Sequence, residues 1–269
     1  MSSIPEQVRA EILDRLRAIE AEEGVRIVYA CESGSRAWGF PSADSDFDIR
    51  FLYVRPPDWY LSINVERRPD VLRRPIGASE SGAVLDPAGW DLRKTLRLLR
   101  RSNASPQEWL RSPIVYRENE AVVPALRALA AEAFRPLAVY HHYRSMAKGT
   151  YHDHLAGPEV NTKKYFYALR PLLNVRWIEA GLGPVPTAFS AVLDAVSPPD
   201  PFRATVDALI DAKRSGSEGD AAARIPVLQT FIEGELERLE RATPPPATDP
   251  VSTDRLDAVF RSVVRQVWA

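Results

Sequence analysis

The chain has 269 residues, and 45% of them are hydrophobic, which is enough for one large domain or two small ones with a sizeable core. Its 35 basic and 36 acidic residues give a net charge of −1, which excludes a global attraction to nucleic acid or membranes and leaves only local patches. The single cysteine, Cys31, excludes a disulfide within the chain, and no stretch is long and apolar enough for a membrane span. We therefore expect a soluble, cytoplasmic protein.

The first predicted elements are a helix and two strands. Apolar residues at helical spacing predict a helix over residues 5–23, and Gly24 ends it. Residues 25–31 form a β-branched and aromatic run, which predicts a buried strand. Residues 46–54 alternate between polar and apolar side chains, which predicts a second strand with one buried face.

A Gly-Ser turn follows the first strand. Gly34 lacks a Cβ, so the backbone can turn sharply there and a ligand can come close. Ser35 is suited to cap a short helical turn, whose free N–H groups and dipole attract a phosphate. The sequence therefore predicts a phosphate site at Gly34 and Ser35, with Arg36 as a nearby cation.

Two aspartates begin the second strand. Asp46 and Asp48 fall on one face because strand side chains alternate. Two neighbouring carboxylates repel each other unless a cation lies between them, and hard oxygen ligands suit Mg²⁺ or Mn²⁺. A phosphate site followed directly by a divalent-metal site is what a nucleoside triphosphate with its Mg²⁺ requires.

This arrangement resembles the signature of the DNA polymerase beta-like nucleotidyltransferase superfamily, in which Gly-Ser precedes an Asp-x-Asp with apolar neighbours. Here the matching residues are Gly34-Ser35 and Asp46-Phe47-Asp48. Within that superfamily the chain is most similar to the bacterial predicted nucleotidyltransferases associated with RNA repair. This closer resemblance is carried by residues 32–40, 90–92, 105–109, 146–151 and 163–171.

The resemblance implies an α+β fold, with a small mixed β-sheet domain like the polymerase beta palm. The change to helical sequence near residue 115 places this domain over residues 1–115. The resemblance also implies two Mg²⁺ or Mn²⁺ ions, a nucleoside triphosphate, expected to be ATP, and a third carboxylate on a strand beside the Asp46–Asp48 pair. Asp91 matches that position best, and Asp86 is the second choice. The alternative for Asp91 is the N-cap of the following helix.

The second half of the chain reads as helical, with Gly and Pro breaks between the helices. We expect an all-helical domain over residues 116–242 that forms the second wall of the nucleotide cleft, as the resemblance implies. Residues 243–251 predict a stiff Pro-rich linker. Residues 252–269 predict an amphipathic helix, which packs either on the body of the protein or on a second subunit.

The region from Arg93 to Arg111 is the most basic part of the chain. Such a patch can bind a triphosphate or an RNA backbone, although a solvated helix face is the commoner outcome of a charge run. The cations concerned are Arg93, Lys94, Arg97, Arg100, Arg101 and Arg111.

The helical half offers further candidates. Lys148 is predicted to face the cleft and meet a phosphate. Lys163, Tyr167 and Arg170 share one helix face, which can stack a base and hold its phosphates. The alternative is that the aromatic residues belong to the core and the lysines to the surface.

All four histidines lie in this half, at positions 141, 142, 152 and 154, but their spacing lacks the Cys/His pattern of a structural zinc site. We therefore expect no zinc there.

The predicted activity is transfer of a nucleoside monophosphate from the triphosphate to an acceptor hydroxyl, with release of pyrophosphate. The resemblance favours an RNA end as the acceptor. Two alternatives stay open, a protein adenylyltransferase of the toxin–antitoxin type and an inactive nucleotide-binding regulatory module. The second of these is disfavoured by the presence of Asp46, Asp48 and a candidate third carboxylate.

Overall fold

The structure is a computed structural model that describes residues 4–74, 76–216 and 222–269. The chain divides into two compact units. The first comprises Met1–Ala37, Ser45–Phe134 and Pro250–Ala269, and the second comprises Trp38–Asp44 and Arg135–Asp249. Among the described residues, no helix is both long and apolar enough to cross a membrane.

The first unit is built on a mixed sheet. Its strands are β1 (Arg26–Glu32), β2 (Phe47–Val54), β3 (Val71–Arg73), β4 (Gly77–Ala78), β5 (Val84–Asp91) and β6 (Val115–Glu118). Their order is β3-β5-β2-β1-β6, with β4 also paired to β5. The β2–β5 pair is parallel, and the other pairs are antiparallel.

Helices account for most of the remaining described chain. They are α1 (Glu6–Glu23), α2 (Gly34–Trp38), α3 (Pro57–Tyr60), α4 (Leu92–Arg100), α5 (Ala104–Leu110), α6 (Val123–Glu132), α7 (Pro136–His154), α8 (Lys163–Glu179), α9 (Phe189–Val196), α10 (Phe202–Arg214), α11 (Pro226–Arg241) and α12 (Thr253–Val267). A short 3-10 turn spans Val65–Arg67.

The two faces of the sheet carry separate cores. On one face α1 packs its buried apolar stripe, which includes Ile12 and Leu16, against Phe47 and Ile49 of β2. The opposite face holds a cluster in which Leu52 packs with residues of α4, α5, α6 and α12. The alternation of β2 explains this division, since successive side chains point to opposite faces.

The C-terminal helix α12 packs on the first unit. Its apolar residues Leu256, Val259 and Val263 are buried in the same cluster as α4 and α6. Ser252 caps the helix by accepting a hydrogen bond from the Arg255 backbone at 3.2 Å. Of the two packing alternatives for this helix, the structure therefore has the one on the body of the protein.

The second unit contains α7 to α11 and one short antiparallel pair, β7 (Glu159–Val160) with β8 (Ala222–Ala223). Helices α7 and α8 pack along each other. The segment Trp38–Asp44 belongs to this unit because Phe40 stacks on Phe166 with ring centroids 4.4 Å apart.

The α+β class, with a mixed sheet first and a mainly helical part second, agrees with the prediction. The boundaries of the compact units differ from the predicted division at residue 115. Strand β6 pairs with β1, and α6 packs in the core of the first unit, so this unit continues to Phe134. The sequence near residue 115 predicts helical structure, but residues Val115–Glu118 form strand β6 of the sheet.

Candidate active site

The turn after β1 brings backbone against a carboxylate. Gly34 has φ +60°, and a Cβ built on it would lie 2.0 Å from Oδ2 of Asp48. The Ser33 amide donates to the Asp48 carbonyl at 2.9 Å. Gly34 is therefore required for two reasons, the left-handed backbone and the close approach of the Asp48 side chain.

Asp48 and Asp86 face each other across two parallel strands. The register of β2 and β5 sets Asp48 opposite Asp86. Arg50, two residues further on β2, lies on the same face, and its Nη2 donates to Asp48 Oδ1 at 2.8 Å and to Asp86 Oδ2 at 2.7 Å. The two carboxylates thus converge on one cationic nitrogen.

The electrostatics of Asp48 follow from this crowding. Burial raises the pKa of the Asp48 carboxyl above its ordinary value, and the charges of Asp86 and Asp46 raise it further, whereas Arg50 opposes the shift. Asp46 immediately precedes β2 and is exposed. The three aspartates therefore form an acidic group whose repulsion a cation relieves.

Glu32, the last residue of β1, hydrogen-bonds the backbone of Asp48. It is fully buried, and its Oε1 accepts a hydrogen bond from the Asp48 backbone N–H at 2.9 Å. Its Oε2 accepts from the Tyr116 hydroxyl. Burial raises the pKa of Glu32 to about 7. Sequence reasoning missed this residue, although a glutamate at the end of an apolar strand was the available signal.

Arg36 ties the turn to the start of β2. Its Nη2 donates to the Ser45 carbonyl at 2.6 Å, its Nε donates to the Asp46 carbonyl at 3.2 Å, and its guanidinium stacks on the Phe47 ring at 3.8 Å. Ser35 Oγ lies 3.2 Å from Ser45 Oγ. Two nitrogens of the predicted phosphate-binding cation are thus engaged in shaping the loop.

The structure corrects the assignment of Asp91. Asp91 pairs with Tyr53, five residues beyond Asp86 on β5, which is about 16 Å along a strand. It is almost fully buried, its Oδ1 accepts from the Arg93 backbone at 2.8 Å, and its Oδ2 accepts from the Tyr60 hydroxyl at 2.8 Å. Asp91 is therefore the N-cap of α4, and Asp86, the second choice, occupies the position beside the pair.

The basic region of α4 is largely neutralised by carboxylates of the first unit. Arg93 and Arg97 both pair with Glu66, and Lys94 lies 3.0 Å from Asp70. Arg111 donates to the Gln107 side chain, and its burial lowers its pKa. Of the six predicted cations, Arg97, Arg100 and Arg101 are exposed, and among the described residues no carboxylate lies within ion-pair distance of Arg100 or Arg101.

Lys148, a predicted phosphate ligand in the second unit, has acidic surroundings. Its Nζ lies 3.7 Å from Glu240, in a cleft between α7 and α11 that Glu233 and Glu237 also line. Arg144 lines the same cleft, and Glu233 and Glu237 pair with Arg224 and Arg241, so the predicted contact of Lys148 with a phosphate stays a prediction.

Two of the three candidates on one face of α8, Tyr167 and Arg170, lie against the Trp38 ring. Tyr167 meets the Trp38 ring edge-on at 5.8 Å, and Lys164 lies over the Tyr167 ring at 5.1 Å. Arg170 covers the Trp38 ring at 4.4 Å. The positive charge of Lys163 contributes to lowering the pKa of Asp44, after the hydrogen bond from Ser42. Tyr167 is half exposed, and its predicted stacking on a base stays a prediction.

Asp48 and Asp86 present carboxylate oxygens to one shared position. Two hard carboxylate oxygens already surround one cationic position, held by Arg50. Within residues 4–74, 76–216 and 222–269, no three Asp, Glu, His or Cys side chains form a ready metal-binding group. The carboxylate oxygens of Asp48 and Asp86 are of the kind that Mg²⁺ or Mn²⁺ prefers, and the charge of Asp46 acts on Asp48.

A mixed sheet that sets paired aspartates beside a Gly-Ser turn defines a nucleotidyltransferase-like protein. The chain belongs to the RNA repair pathway DNA polymerase beta family, whose model matches residues 8–262. This confirms the resemblance drawn from the signature residues.

Two individual proteins complete the comparison. The chain is 45% identical over 262 residues to the uncharacterized protein YcgL of Bacillus subtilis (strain 168), covering 97% of this chain and 98% of that protein. A crystal structure of a nucleotidyltransferase-like protein from Exiguobacterium sibiricum 255-15 aligns with 94% of this chain and 91% of that one, at 13% identity and a TM-score of 0.31. That structural likeness is too low to carry an argument.

Proposed function

We propose that the protein transfers a nucleoside monophosphate from a nucleoside triphosphate, expected to be ATP, to the hydroxyl of an RNA end. One observation carries the proposal. Asp48 and Asp86 converge on a single cationic position directly beside the Gly34 turn. Paired carboxylates next to a glycine turn are suited to a metal-bound triphosphate.

In this reaction the acceptor oxygen bonds to the α-phosphorus, the bond from that phosphorus to the bridging oxygen breaks, and pyrophosphate leaves. Asp46, Asp48 and Asp86 would hold one or two Mg²⁺ or Mn²⁺ ions. When bound, such ions neutralise the charge that develops on the phosphate oxygens.

The remaining work belongs to residues of the chain. The backbone of Gly34 and Ser35 binds the triphosphate, and Arg36 fixes that turn through the carbonyls of Ser45 and Asp46. Asp86 takes the proton of the attacking hydroxyl. Glu32 holds the backbone of Asp48 in place. Catalysis then rests on positioning and charge neutralisation.

The acceptor is inferred from the family, whose description places it in an RNA repair pathway. The exposed Arg100 and Arg101 are suited to an RNA backbone, because the other cations of α4 are engaged in ion pairs. We therefore expect the protein to bind RNA with an affinity that depends on salt. The double variant Arg100→Gln/Arg101→Gln should bind RNA more weakly.

The test is transfer of label from nucleoside triphosphates radiolabelled at the α-phosphate, with Mg²⁺ or Mn²⁺, onto a pool of short RNAs and onto the protein itself. Asp48→Asn should abolish transfer. Asp14→Asn, on the exposed surface of α1, serves as the matched control and should behave like wild type.

Label on RNA that is lost in Asp48→Asn supports the proposal and shows the preferred base. Label on protein instead would move the acceptor from RNA to a protein hydroxyl. Absence of both transfer and metal-dependent nucleotide binding would refute nucleotidyl transfer.

A further inference from the structure

Arg50 occupies an unusual position on β2. Its strand begins beside the partly buried Asp48 and ends under helices, where Leu52 and Val54 are fully buried. Arg50 lies at the border between these two environments, and its side chain is 19% exposed. A charged group this close to a core requires partners for its hydrogen-bond donors.

The chain supplies those partners at the site itself. Besides its bonds to the carboxylates of Asp48 and Asp86, Arg50 donates through Nη1 to the Asp86 carbonyl at 2.6 Å and to the Ile49 carbonyl at 3.2 Å. The carbonyl bonds anchor the guanidinium from one side. The bonds to the two carboxylates use a single nitrogen, Nη2.

An ion that bridges Asp48 and Asp86 at the position of Arg50 Nη2 requires the same two oxygens, Asp48 Oδ1 and Asp86 Oδ2. Arginine stays protonated at any relevant pH, so it cannot release the carboxylates by losing its charge. It can release them only by moving its Nη2 away. The ion and the guanidinium therefore compete for Asp48 Oδ1 and Asp86 Oδ2.

We propose that Arg50 is a resident cation that holds Asp48 and Asp86 together in the metal-free protein and yields their oxygens to a divalent ion. The inference rests on the proposed function, since it takes the ion to bind at Asp48 and Asp86. Arg50 then has two effects. It keeps the carboxylates assembled without metal, and it weakens the affinity for the metal.

The direct test is a titration with Mn²⁺, followed by the electron paramagnetic resonance signal of the free ion, in wild type, Arg50→Gln and Arg50→Lys. Removing the competing charge should tighten Mn²⁺ binding roughly tenfold or more in Arg50→Gln. Arg50→Lys keeps the charge but loses the forked geometry, so its affinity should fall between those of the other two.

The matched control is Arg117→Gln, which removes the same charge from an ion pair with Glu20 in the same unit. Its Mn²⁺ affinity should equal that of wild type. A second measurement is the melting temperature with and without Mn²⁺. Without metal Arg50→Gln should melt below wild type, because Asp48 and Asp86 then repel, and Mn²⁺ should raise its melting temperature more than that of wild type.

The outcomes separate the two ideas. If Asp48→Asn abolishes Mn²⁺ binding but Arg50→Gln and Arg50→Lys bind Mn²⁺ no more tightly than wild type, the role of Arg50 is overturned while the proposed function stands. If neither wild type nor Arg50→Gln binds Mn²⁺, both fail. Should Arg50→Gln not fold, Arg50→Lys decides alone, since Mn²⁺ binding no tighter than that of wild type contradicts competition.

Discussion

The two ends of strand β5 carry the same residue type in different environments. Asp86, near the start of the strand, faces Asp48 and Arg50 and is about one quarter exposed, with a side-chain exposure of 24%. Asp91, at the end, is buried and bonded to the Tyr60 hydroxyl and the Arg93 backbone. Burial raises the pKa of Asp91. Only the environment distinguishes a candidate metal ligand from a helix cap.

The register of β2 and β5 determines the environment of each aspartate. Asp86 and Asp91 are five positions apart on β5, and because this offset is odd their side chains point to opposite faces of the sheet. The face that Asp86 shares with Asp48 holds the two converging carboxylates, whereas Asp91 is the last residue of the strand and caps α4. Assigning both aspartates correctly requires knowing which residue of β2 lies opposite each.

The largest expected effect is on catalysis at the Asp86 end. Asp86→Asn should reduce label transfer about 10²–10³-fold, because it removes a carboxylate that handles charge in the transition state. Asp91→Asn keeps a capping side chain and should stay within about threefold of wild type. The measurement is initial rate under identical metal and nucleotide concentrations, with folding checked by circular dichroism. Equal losses in the two variants would contradict the assignment.

The second prediction concerns Glu32, the buried carboxyl beneath Asp48. Its pKa of about 7 in the folded state lies above the ordinary 4.5, so the folded protein binds the extra proton between these values. Below pH 4.5 this tighter proton binding adds about 3 kcal/mol to the free energy of unfolding. The added stability is lost as the pH rises to 7.

Glu32→Gln lacks this titration, so its stability relative to wild type should rise between pH 5 and pH 8. The measurement is the free energy of unfolding by urea in metal-free buffer at several pH values. Parallel curves for the two proteins would show that Glu32 titrates normally.

Much of the first unit was predictable from local sequence. The period-two pattern predicted strand β2, which carries Asp48, and Gly34 predicted the turn, because both signals lie within a few neighbouring residues. Strand β5 was hidden by Pro87 and Gly89, which normally disfavour a strand. Gly89 is present because a Cβ there would lie 2.0 Å from the Phe51 ring.

The register of β5 was not predictable for a related reason. A hairpin turn fixes the register of antiparallel strands, but β2 and β5 are parallel and joined by a long connection. No local signal therefore says that Asp86 lies opposite Asp48. The ion pairs of Glu66 and Asp70 with α4 are likewise long-range contacts, and for this reason the basic region looked more positive in the sequence than it is.

A third prediction tests the contact of Gly34 with Asp48. Gly34→Ala should force the Asp48 carboxylate to rotate away from the new methyl group. Holding a side chain away from its preferred rotamer costs about 1 kcal/mol, so label transfer should fall about tenfold. Gly24→Ala is the matched control. Gly24 has φ +61°, nearly the same as Gly34, but nothing lies within 4 Å of its Cβ position. If Gly34→Ala and Gly24→Ala lose transfer equally, the loss comes from the left-handed backbone and not from the contact of residue 34 with Asp48.

The smallest expected effect is on stability at the Asp91 end. Asp91→Ala removes the acceptor of the Arg93 N–H and of the Tyr60 hydroxyl, which should lower the free energy of unfolding by about 1–2 kcal/mol. Asp91→Asn retains an acceptor for the helix N-terminus and should lose less. Label transfer per folded molecule should be unchanged in both, since neither variant alters Asp48 or Asp86. A loss of transfer larger than the loss of folded protein would return Asp91 to the catalytic site.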